Sequence, residues 1–133
     1  GYPAVLKTID TLVEDIYDRG LDRKTMLIVA GEFGRTPRVN PARGTRSGVM
    51  QPGRDHWPGA QSVLISGGGA RMGQVIGSTT DKGEYPKDNR LDPNDLLATV
   101  YRFLGIDHHH AFLDRSGRPM PILPHGNPIA ELS

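Results

Sequence analysis

Cysteine is absent from this sequence of 133 residues. Its absence excludes disulfide bonds, thiolate nucleophiles and cysteine-bound zinc, so any metal ion would have to be held by His, Asp and Glu side chains. Long apolar runs are absent as well. Every run is far shorter than the ~20 residues that a membrane-spanning helix needs, and the first residues do not resemble a signal peptide. The formal net charge of +1 gives no reason to expect wholesale binding to nucleic acid or to membranes.

The hydrophobic content of 36% is enough for a modest core, as in one ordinary domain or part of one. The 17 glycines and 11 prolines cluster between apolar runs, so we expect a loop-rich globular fold rather than disorder. Gly1 leads at once into a helix-like pattern. We therefore expect the chain to be a piece of a longer protein.

Apolar spacing predicts a helix followed by buried strands. Apolar residues recur every three or four positions over residues 3–19, which is the period of one helix face. Residues 25–30 (TMLIVA) and 62–66 (SVLIS) are short, continuous apolar runs that are typical of strands covered on both faces. Residues 74–76 are a shorter strand candidate. A helix that leads into a buried strand indicates an α/β fold.

A second helix is predicted to begin at Asp92 and Pro93 and to end before Gly105. Its predicted buried face consists of Leu96, Leu97, Val100, Tyr101 and Leu104. Residues 31–61 show no periodicity and are predicted to form one long loop. The Pro-rich tail after the second helix is predicted to lie extended over the surface.

Glu32 follows the first predicted strand, within the stretch GEFGRTP. Binding sites in open α/β sheets gather at the carboxyl ends of strands. A carboxylate there can hold a metal, act as a base, or form an ion pair with Arg35, and the sequence leaves these alternatives open.

The loop that follows carries positive charge only. Its arginines are Arg35, Arg38, Arg43, Arg46 and Arg54. The planar guanidinium suits phosphate or sulfate oxygens, so an anionic substrate is one hypothesis. A solvated basic loop and a loop that contacts a nucleic-acid backbone are the alternatives.

Two histidine motifs are candidates for chemistry. His56 lies between Asp55, an ordering partner for an imidazole, and Trp57, an apolar wall, although a single loop histidine is more often part of a hydrogen-bonded structure. Residues 108–110 form a run of three histidines. Neighbouring side chains on a chain diverge, so we expect this run to be solvated or to cap the preceding helix rather than to bind one ion.

No phosphate loop or covalent nucleophile stands out. The triple glycine at residues 67–69 lacks the Lys-Ser/Thr of a phosphate loop and is predicted to be a tight turn. The serines near glycine, Ser47, Ser66 and Ser116, lack the context of a nucleophile elbow.

The order of these motifs is itself informative. DRKTMLIVAGEFG, the basic loop, GRDHWP, SVLISGGGARMGQVIG and LDPNDLLATVYRFLGI together resemble the C-terminal half of the alkaline phosphatase and sulfatase superfamily. GEFGRTP followed by GRDHWP is most similar to a bacterial family of unknown function in that superfamily, whose members are often labelled sulfatases. The resemblance covers nearly the whole chain. It implies that residues 1–133 are the C-terminal portion of one alkaline-phosphatase-like α/β domain, a three-layer sandwich.

The resemblance also implies a metal site. Glu32 takes the place of a metal-binding Asp, and His56 that of a later metal-binding His. Phe33 stands where a second metal-binding His is expected. Arg35 is then the contact to the anionic substrate, and Asp55 an outer partner of the ligands. The metal would be divalent, one of Zn, Ca, Mg or Mn.

The activity that the resemblance implies is metal-dependent hydrolysis of small sulfate or phosphate esters, in a periplasmic or extracytoplasmic compartment. The nucleophile and an Asp/His pair would lie before Gly1, so the chain is expected to need the remainder of its own domain and to be inactive alone. The alternative, favoured by Phe33, is a non-catalytic binding or structural relative with a degenerate metal site. Nucleic acid is not the expected partner.

Overall fold

The computed structural model describes residues 2–44 and 47–133. Its helices are α1 (Tyr2–Asp18) and α2 (Pro93–Phe103), with a short 3-10 helix at Ala130–Leu132. The strands, in chain order, are β1 (Met26–Val29), β2 (Gly34–Arg35), β3 (Asn40–Arg43), β4 (Met50–Gly53), β5 (His56–Trp57), β6 (Leu64–Gly67), β7 (Ala111–Leu113) and β8 (Pro119–Pro121). None of the helices in the described ranges is long and apolar enough to cross a membrane.

The chain divides into two compact units. The helix unit comprises Gly1–Leu27, Ile65–Val75 and Leu91–Ser133, and the motif unit comprises Ile28–Leu64 and Ile76–Arg90. The described strands form two-stranded sheets, in which β1 pairs with β6, β2 with β5, β3 with β4, and β7 with β8. A three-layer sandwich stays a prediction.

The prediction of one long loop over residues 31–61 is wrong. The segment holds β2, β3, β4 and β5, which pair as antiparallel strands. These strands are two to four residues long, which is too short to display an alternating apolar pattern. The predicted strand at residues 74–76 is also wrong, because Val75 is 95% exposed and the Gln74 side chain instead donates to the Glu131 carbonyl at 2.6 Å.

Helix α1 confirms the helix predicted from apolar spacing, but its apolar face is only partly covered. Val5, Leu6 and Leu12 are all exposed. The helix ends where Gly20 adopts a φ of +66°, which lets the Leu21 amide donate to the Ile16 carbonyl at 2.9 Å. Local spacing therefore predicted the helix, whereas the described residues bury its apolar face only in part.

Helix α2 begins where it is predicted to begin, with Asp92 as its N-cap residue in a capping box. The Asp92 carboxylate accepts hydrogen bonds from the Asn94 and Asp95 amides at 2.7 and 3.3 Å, and the Asp95 carboxylate accepts one from the Asp92 amide at 2.9 Å. Each bond satisfies an amide that the first helical turn leaves without a partner. The helix ends at Phe103, and Gly105 follows with a φ of +72°.

The predicted buried face of α2 is only partly right. Leu97 and Leu104 are 44% and 58% exposed, whereas the small residues Ala98 and Thr99 are buried. The face is set by the C-terminal segment, whose Ile129 amide donates to the Thr99 hydroxyl at 2.9 Å. The tail is therefore not simply extended over the surface, as had been predicted. It contributes the β7–β8 hairpin and the buried residues Leu123 and Ile129.

The turn predicted at the triple glycine is confirmed. Gly67, Gly68 and Gly69 have φ values of +79°, +68° and +71°, a region that side chains other than glycine rarely adopt. A Cβ atom at Gly67 would also overlap the Thr25 carbonyl oxygen. The glycines are required by the backbone, which agrees with a tight turn after β6.

Candidate functional site

Strands β2 and β5 bring the two sequence motifs GEFGRTP and GRDHWP into direct contact. Gly34 is paired with Trp57, and Arg35 with His56. Two further bonds extend the pairing, because the Thr36 amide donates to the Asp55 carbonyl and the Asp55 amide to the Thr36 hydroxyl, both at 3.0 Å. Stretches that lie about twenty positions apart in the chain thus form one surface.

Glycine at position 34 makes this pairing possible. A Cβ atom there would overlap the carbonyl oxygen of Ala60, which is a backbone atom and cannot swing aside. Gly59 has a similar role, because a Cβ atom there would come within 2.6 Å of the Trp57 ring nitrogen. That nitrogen donates to the Glu84 carbonyl at 2.6 Å, and the Trp57 ring packs beside Tyr85 with centroids 5.5 Å apart.

One face of the strand pair gathers an imidazole, a phenyl ring and a guanidinium. The His56 ring stacks on the Phe33 ring, with centroids 3.8 Å apart and planes at 27°. The Arg35 guanidinium lies 5.5 Å from the centroid of the same phenyl ring and donates to the Arg54 carbonyl at 3.2 Å. We call these three residues, Phe33, Arg35 and His56, together with the exposed Glu32 that precedes Phe33 in the chain, the strand-pair site.

Glu32 and Asp55 have different surroundings. Glu32 is exposed, and no ion pair with Arg35 occurs among the described residues, so the ion-pair alternative is not observed. The Asp55 carboxylate accepts a hydrogen bond from the Asn40 side chain at 3.0 Å. In the described part of the chain no hydrogen bond joins Asp55 to His56.

Comparison with known proteins gives one result. The family described as "Protein of unknown function (DUF1501)" matches residues 3–133. The chain belongs to the DUF1501 family. No curated protein and no solved structure matches it. Membership of the DUF1501 family names no reaction, so the chemistry of the site has to be argued from its residues.

A complete metal site is not present in the strand-pair site of this DUF1501 protein. Over residues 2–44 and 47–133, the His and Asp/Glu donors that gather in a group of three are those of Asp107, His108 and His109. Glu32 and His56 belong to no such group, so at most two donors are available for an ion there. The chain by itself does not fit the metal centre that the resemblance implies.

The predicted anion-binding arginines are exposed. Arg35, Arg38, Arg43 and Arg54 all face solvent, and Arg46 lies outside the described residues. Arg43 is on the hairpin of β3 and β4, where it is paired with Met50. Among the described arginines of this segment, Arg35 is the one that is paired with His56 across β2 and β5. Its role as an anion contact stays a prediction.

The prediction for the histidine run in this DUF1501 chain is wrong in part. His108 is not solvated but buried, with 8% exposure, and its Nε2 atom has no hydrogen-bond partner within residues 2–44 and 47–133. His109 and His110 are exposed, as predicted. Because adjacent side chains usually diverge, the sequence gives no reason to expect that this run gathers donors around one ion. The sequence feature that could have indicated a turn is Asp107, because an Asp side chain often accepts a hydrogen bond from the amide two residues later, as it does here from His109.

Proposed function

We propose that the chain is part of a metal-dependent hydrolase of small sulfate or phosphate esters and that the strand-pair site binds the anionic group. The observation that carries the proposal is the pairing of Arg35 with His56 across β2 and β5. It collects a cation and an imidazole on one exposed face. The fold of the alkaline phosphatase and sulfatase superfamily belongs to this proposal as well.

Arg35 is oriented before any ligand arrives. Its guanidinium is held against the Phe33 ring and by one hydrogen bond to the Arg54 carbonyl. A guanidinium has five N–H donors, so one such bond leaves donors for the oxygens of an ester. Because the geometry of the fork matches two oxygens of a tetrahedral anion, Arg35 fixes the orientation of the ester as well as its position.

In this proposal Glu32 and His56 are two of several metal ligands, and the metal would polarise the ester. The other ligands and the nucleophile would come from the remainder of the domain. The exposed apolar side chains Val5, Leu6 and Leu12 of α1 support this part of the proposal, because a helix face of this kind is usually covered by another segment.

The second candidate is a non-catalytic relative that retains anion binding. The observation in its favour is the stack of Phe33 on His56 at 3.8 Å. A phenyl ring has no lone pair to offer a metal ion, and it occupies the position beside the imidazole where the resemblance leads us to expect a further ligand. In this case the strand-pair site binds an anion and holds no metal.

Anion binding can be tested with Trp57, the only tryptophan in the chain. Trp57 is paired with Gly34, the residue before Arg35, so a change at Arg35 on titration with inorganic phosphate or sulfate at constant ionic strength can be followed by its fluorescence, with calorimetry as a second readout. We expect Arg35→Ala to weaken binding about tenfold or more, as for the loss of a charge-assisted contact. Arg38→Ala, an exposed arginine of the same segment, is the control and should leave binding unchanged. Equal loss in both variants would contradict the proposal and indicate a diffuse basic surface.

Metal binding separates the two candidates. Metal content would be measured by elemental analysis of the intact domain in a His109→Ala background, which removes a donor of the other three-donor group. We expect bound divalent metal that is lost in Glu32→Gln and in His56→Ala. Metal that is absent from the background protein, or retained in both variants, would refute the hydrolase and leave the non-catalytic relative.

A further inference from the structure

The loop after α2 leaves the helix in a fixed direction. The Leu104 amide donates to the Val100 carbonyl at 3.0 Å, and the Ile106 amide to the Tyr101 carbonyl at 2.9 Å. Gly105, between them, adopts a φ of +72°. These bonds satisfy carbonyls at the end of the helix. They place the next three residues, Asp107, His108 and His109, at a defined position beside the helix end.

These three residues converge, although they are adjacent in sequence. The Asp107 carboxylate accepts a hydrogen bond from the His109 amide at 2.9 Å, and the Asp107 carbonyl accepts one from the His110 amide at 3.0 Å. Both bonds curl the chain into a turn. One donor atom from each of the three residues therefore lies within 4.8 Å of the other two. We call Asp107, His108 and His109 the histidine cluster.

His108 provides an independent indication of a ligand. It is 8% exposed, and its buried Nε2 atom has no hydrogen-bond partner in the described part of the chain. A buried polar atom left without a partner is costly, and such atoms are uncommon in folded proteins. The ring lies beside that of His109, with centroids 4.1 Å apart. The cluster thus contains a buried imidazole with one ring nitrogen that is not engaged in a hydrogen bond among the described residues.

We propose that the histidine cluster binds a divalent transition-metal ion of the Zn²⁺ class. Two imidazoles and a carboxylate are donors that Zn²⁺, Ni²⁺ and Cu²⁺ prefer, whereas Mg²⁺ and Ca²⁺ prefer oxygen ligands alone. Three protein ligands leave one tetrahedral position for water or a substrate. The site lies wholly in the helix unit and shares no residue with the strand-pair site.

The spacing of the donors is compatible with such an ion. Donors bound at ~2.1 Å in a tetrahedral zinc site are about 3.4 Å apart, and those of the cluster lie within 4.8 Å of each other. Asp107 and His109 are exposed, so their side chains can close toward the ion, while the buried His108 serves as the fixed point. The bond from the His109 amide orients the Asp107 carboxylate, as outer-shell bonds do in metal sites.

Calorimetric titration with Zn²⁺ tests the proposal, using the full chain with Glu32→Gln and His56→Ala so that the strand-pair site cannot contribute. We expect one Zn²⁺ per chain and no binding of Mg²⁺. His109→Ala and Asp107→Asn should each weaken Zn²⁺ binding about tenfold or more. The side chain in Asp107→Asn retains an oxygen that can accept a hydrogen bond from the His109 amide, so the turn is kept while the charged metal donor is removed.

His110→Ala is the matched control. His110 is exposed and lies edge-on to Phe112, outside the cluster. It should leave Zn²⁺ binding unchanged. The absorption spectrum of the Co²⁺ form should show tetrahedral coordination in the parent chain and in His110→Ala only. The proposal is overturned if the parent chain binds no Zn²⁺, if Asp107→Asn and His109→Ala bind as tightly as the parent, or if His110→Ala weakens binding equally. That last outcome would indicate an unspecific histidine run.

Discussion

The strand-pair site and the histidine cluster are built in opposite ways. The strand-pair site carries the sequence motifs, yet its residues are held by backbone pairing and leave Glu32 and Arg35 exposed to solvent. The histidine cluster lies in no recognised motif, yet it contains a buried imidazole whose Nε2 atom has no hydrogen-bond partner among the residues that the structure describes. The sequence motifs coincide with the segment in which close contacts constrain the backbone. The buried imidazole of His108 coincides with the group of three possible metal donors.

This difference shows what a glycine-rich motif does in this protein. Gly34 and Gly59 allow main chain and a tryptophan ring to approach each other closely. The packing of the motif unit therefore depends on the absence of side chains at these two glycines. The helix unit depends on side-chain hydrogen bonds, such as those of Asp92 and Thr99. Four predictions test that contrast.

The largest effect is expected at Gly34. Gly34→Ala forces a Cβ atom against the Ala60 carbonyl oxygen, and we expect it to cost about 3 kcal/mol or more because two backbone segments must separate. Thermal unfolding followed by Trp57 fluorescence measures the loss, since Trp57 is paired with Gly34. The control is Gly53→Ala, whose added Cβ atom would meet nothing closer than the Asn40 oxygen at 4.0 Å. Equal stability of the two variants would show that close approach does not limit the strand pair.

Thr99 tests the dependence of the helix unit on polar satisfaction. Thr99→Val keeps the shape of the side chain but leaves the Ile129 amide buried without an acceptor. We expect a loss of about 1–3 kcal/mol in the free energy of unfolding, measured with urea. The control is Thr8→Val on α1, where the exposed hydroxyl donates to the Ala4 carbonyl, and a change within about 0.5 kcal/mol is expected. A neutral Thr99→Val would mean that water replaces the lost acceptor.

Phe33→His would give the strand-pair site a second imidazole, so that it has two histidines, as the histidine cluster does. The new imidazole would lie beside His56, whose ring is 3.8 Å from the phenyl ring it replaces. In a His109→Ala background we expect about tenfold tighter Zn²⁺ binding, which is ~1.4 kcal/mol. Phe33→Leu removes the aromatic ring without adding a donor and should give no gain. If both variants bind Zn²⁺ equally, Glu32 and His56 do not face the added ligand.

The smallest effect concerns pH and the hairpin of β7 and β8. The Arg118 amide and then the Ser116 hydroxyl donate to the Asp114 carboxylate and lower its pKa from the ordinary 3.8 to about 2. The pKa is depressed in the folded state, so the stabilisation is present above pH 3.8 and is lost as pH falls through about 2. Carbon NMR of the Asp114 carboxyl should show this titration.

Ser116→Ala should raise the pKa of Asp114 toward the ordinary 3.8, because one hydrogen bond to the carboxylate is lost. Arg115→Ala, an exposed neighbour with no contact to that carboxylate among the described residues, should leave the pKa of Asp114 in place. An Asp114 pKa at or above 3.8 in the parent chain would contradict the hydrogen-bond pattern of the hairpin.

Local signals predicted much of the fold. Apolar spacing located α1, and Asp92 and Gly105 located the ends of α2. The runs after residues 24 and 61 located β1 and β6. The strands of residues 31–61 escaped prediction because they are short, and the buried face of α2 was misassigned in part because the tail that covers it is distant in sequence. The sequence predicted which residues form the candidate site, but not how they are arranged in space.

The sequence by itself determined what residues close together in the chain can enforce, which is where the helices begin and end and where the glycine turn after β6 lies. It also determined the match to the DUF1501 family over residues 3–133. Only the tertiary structure decided that Arg35 pairs with His56, that Phe33 stacks on that imidazole, and that His108 is buried. The physical reason is that capping, turn formation and amphipathic spacing act within a few residues, whereas strand register and burial depend on contacts between segments far apart in the chain.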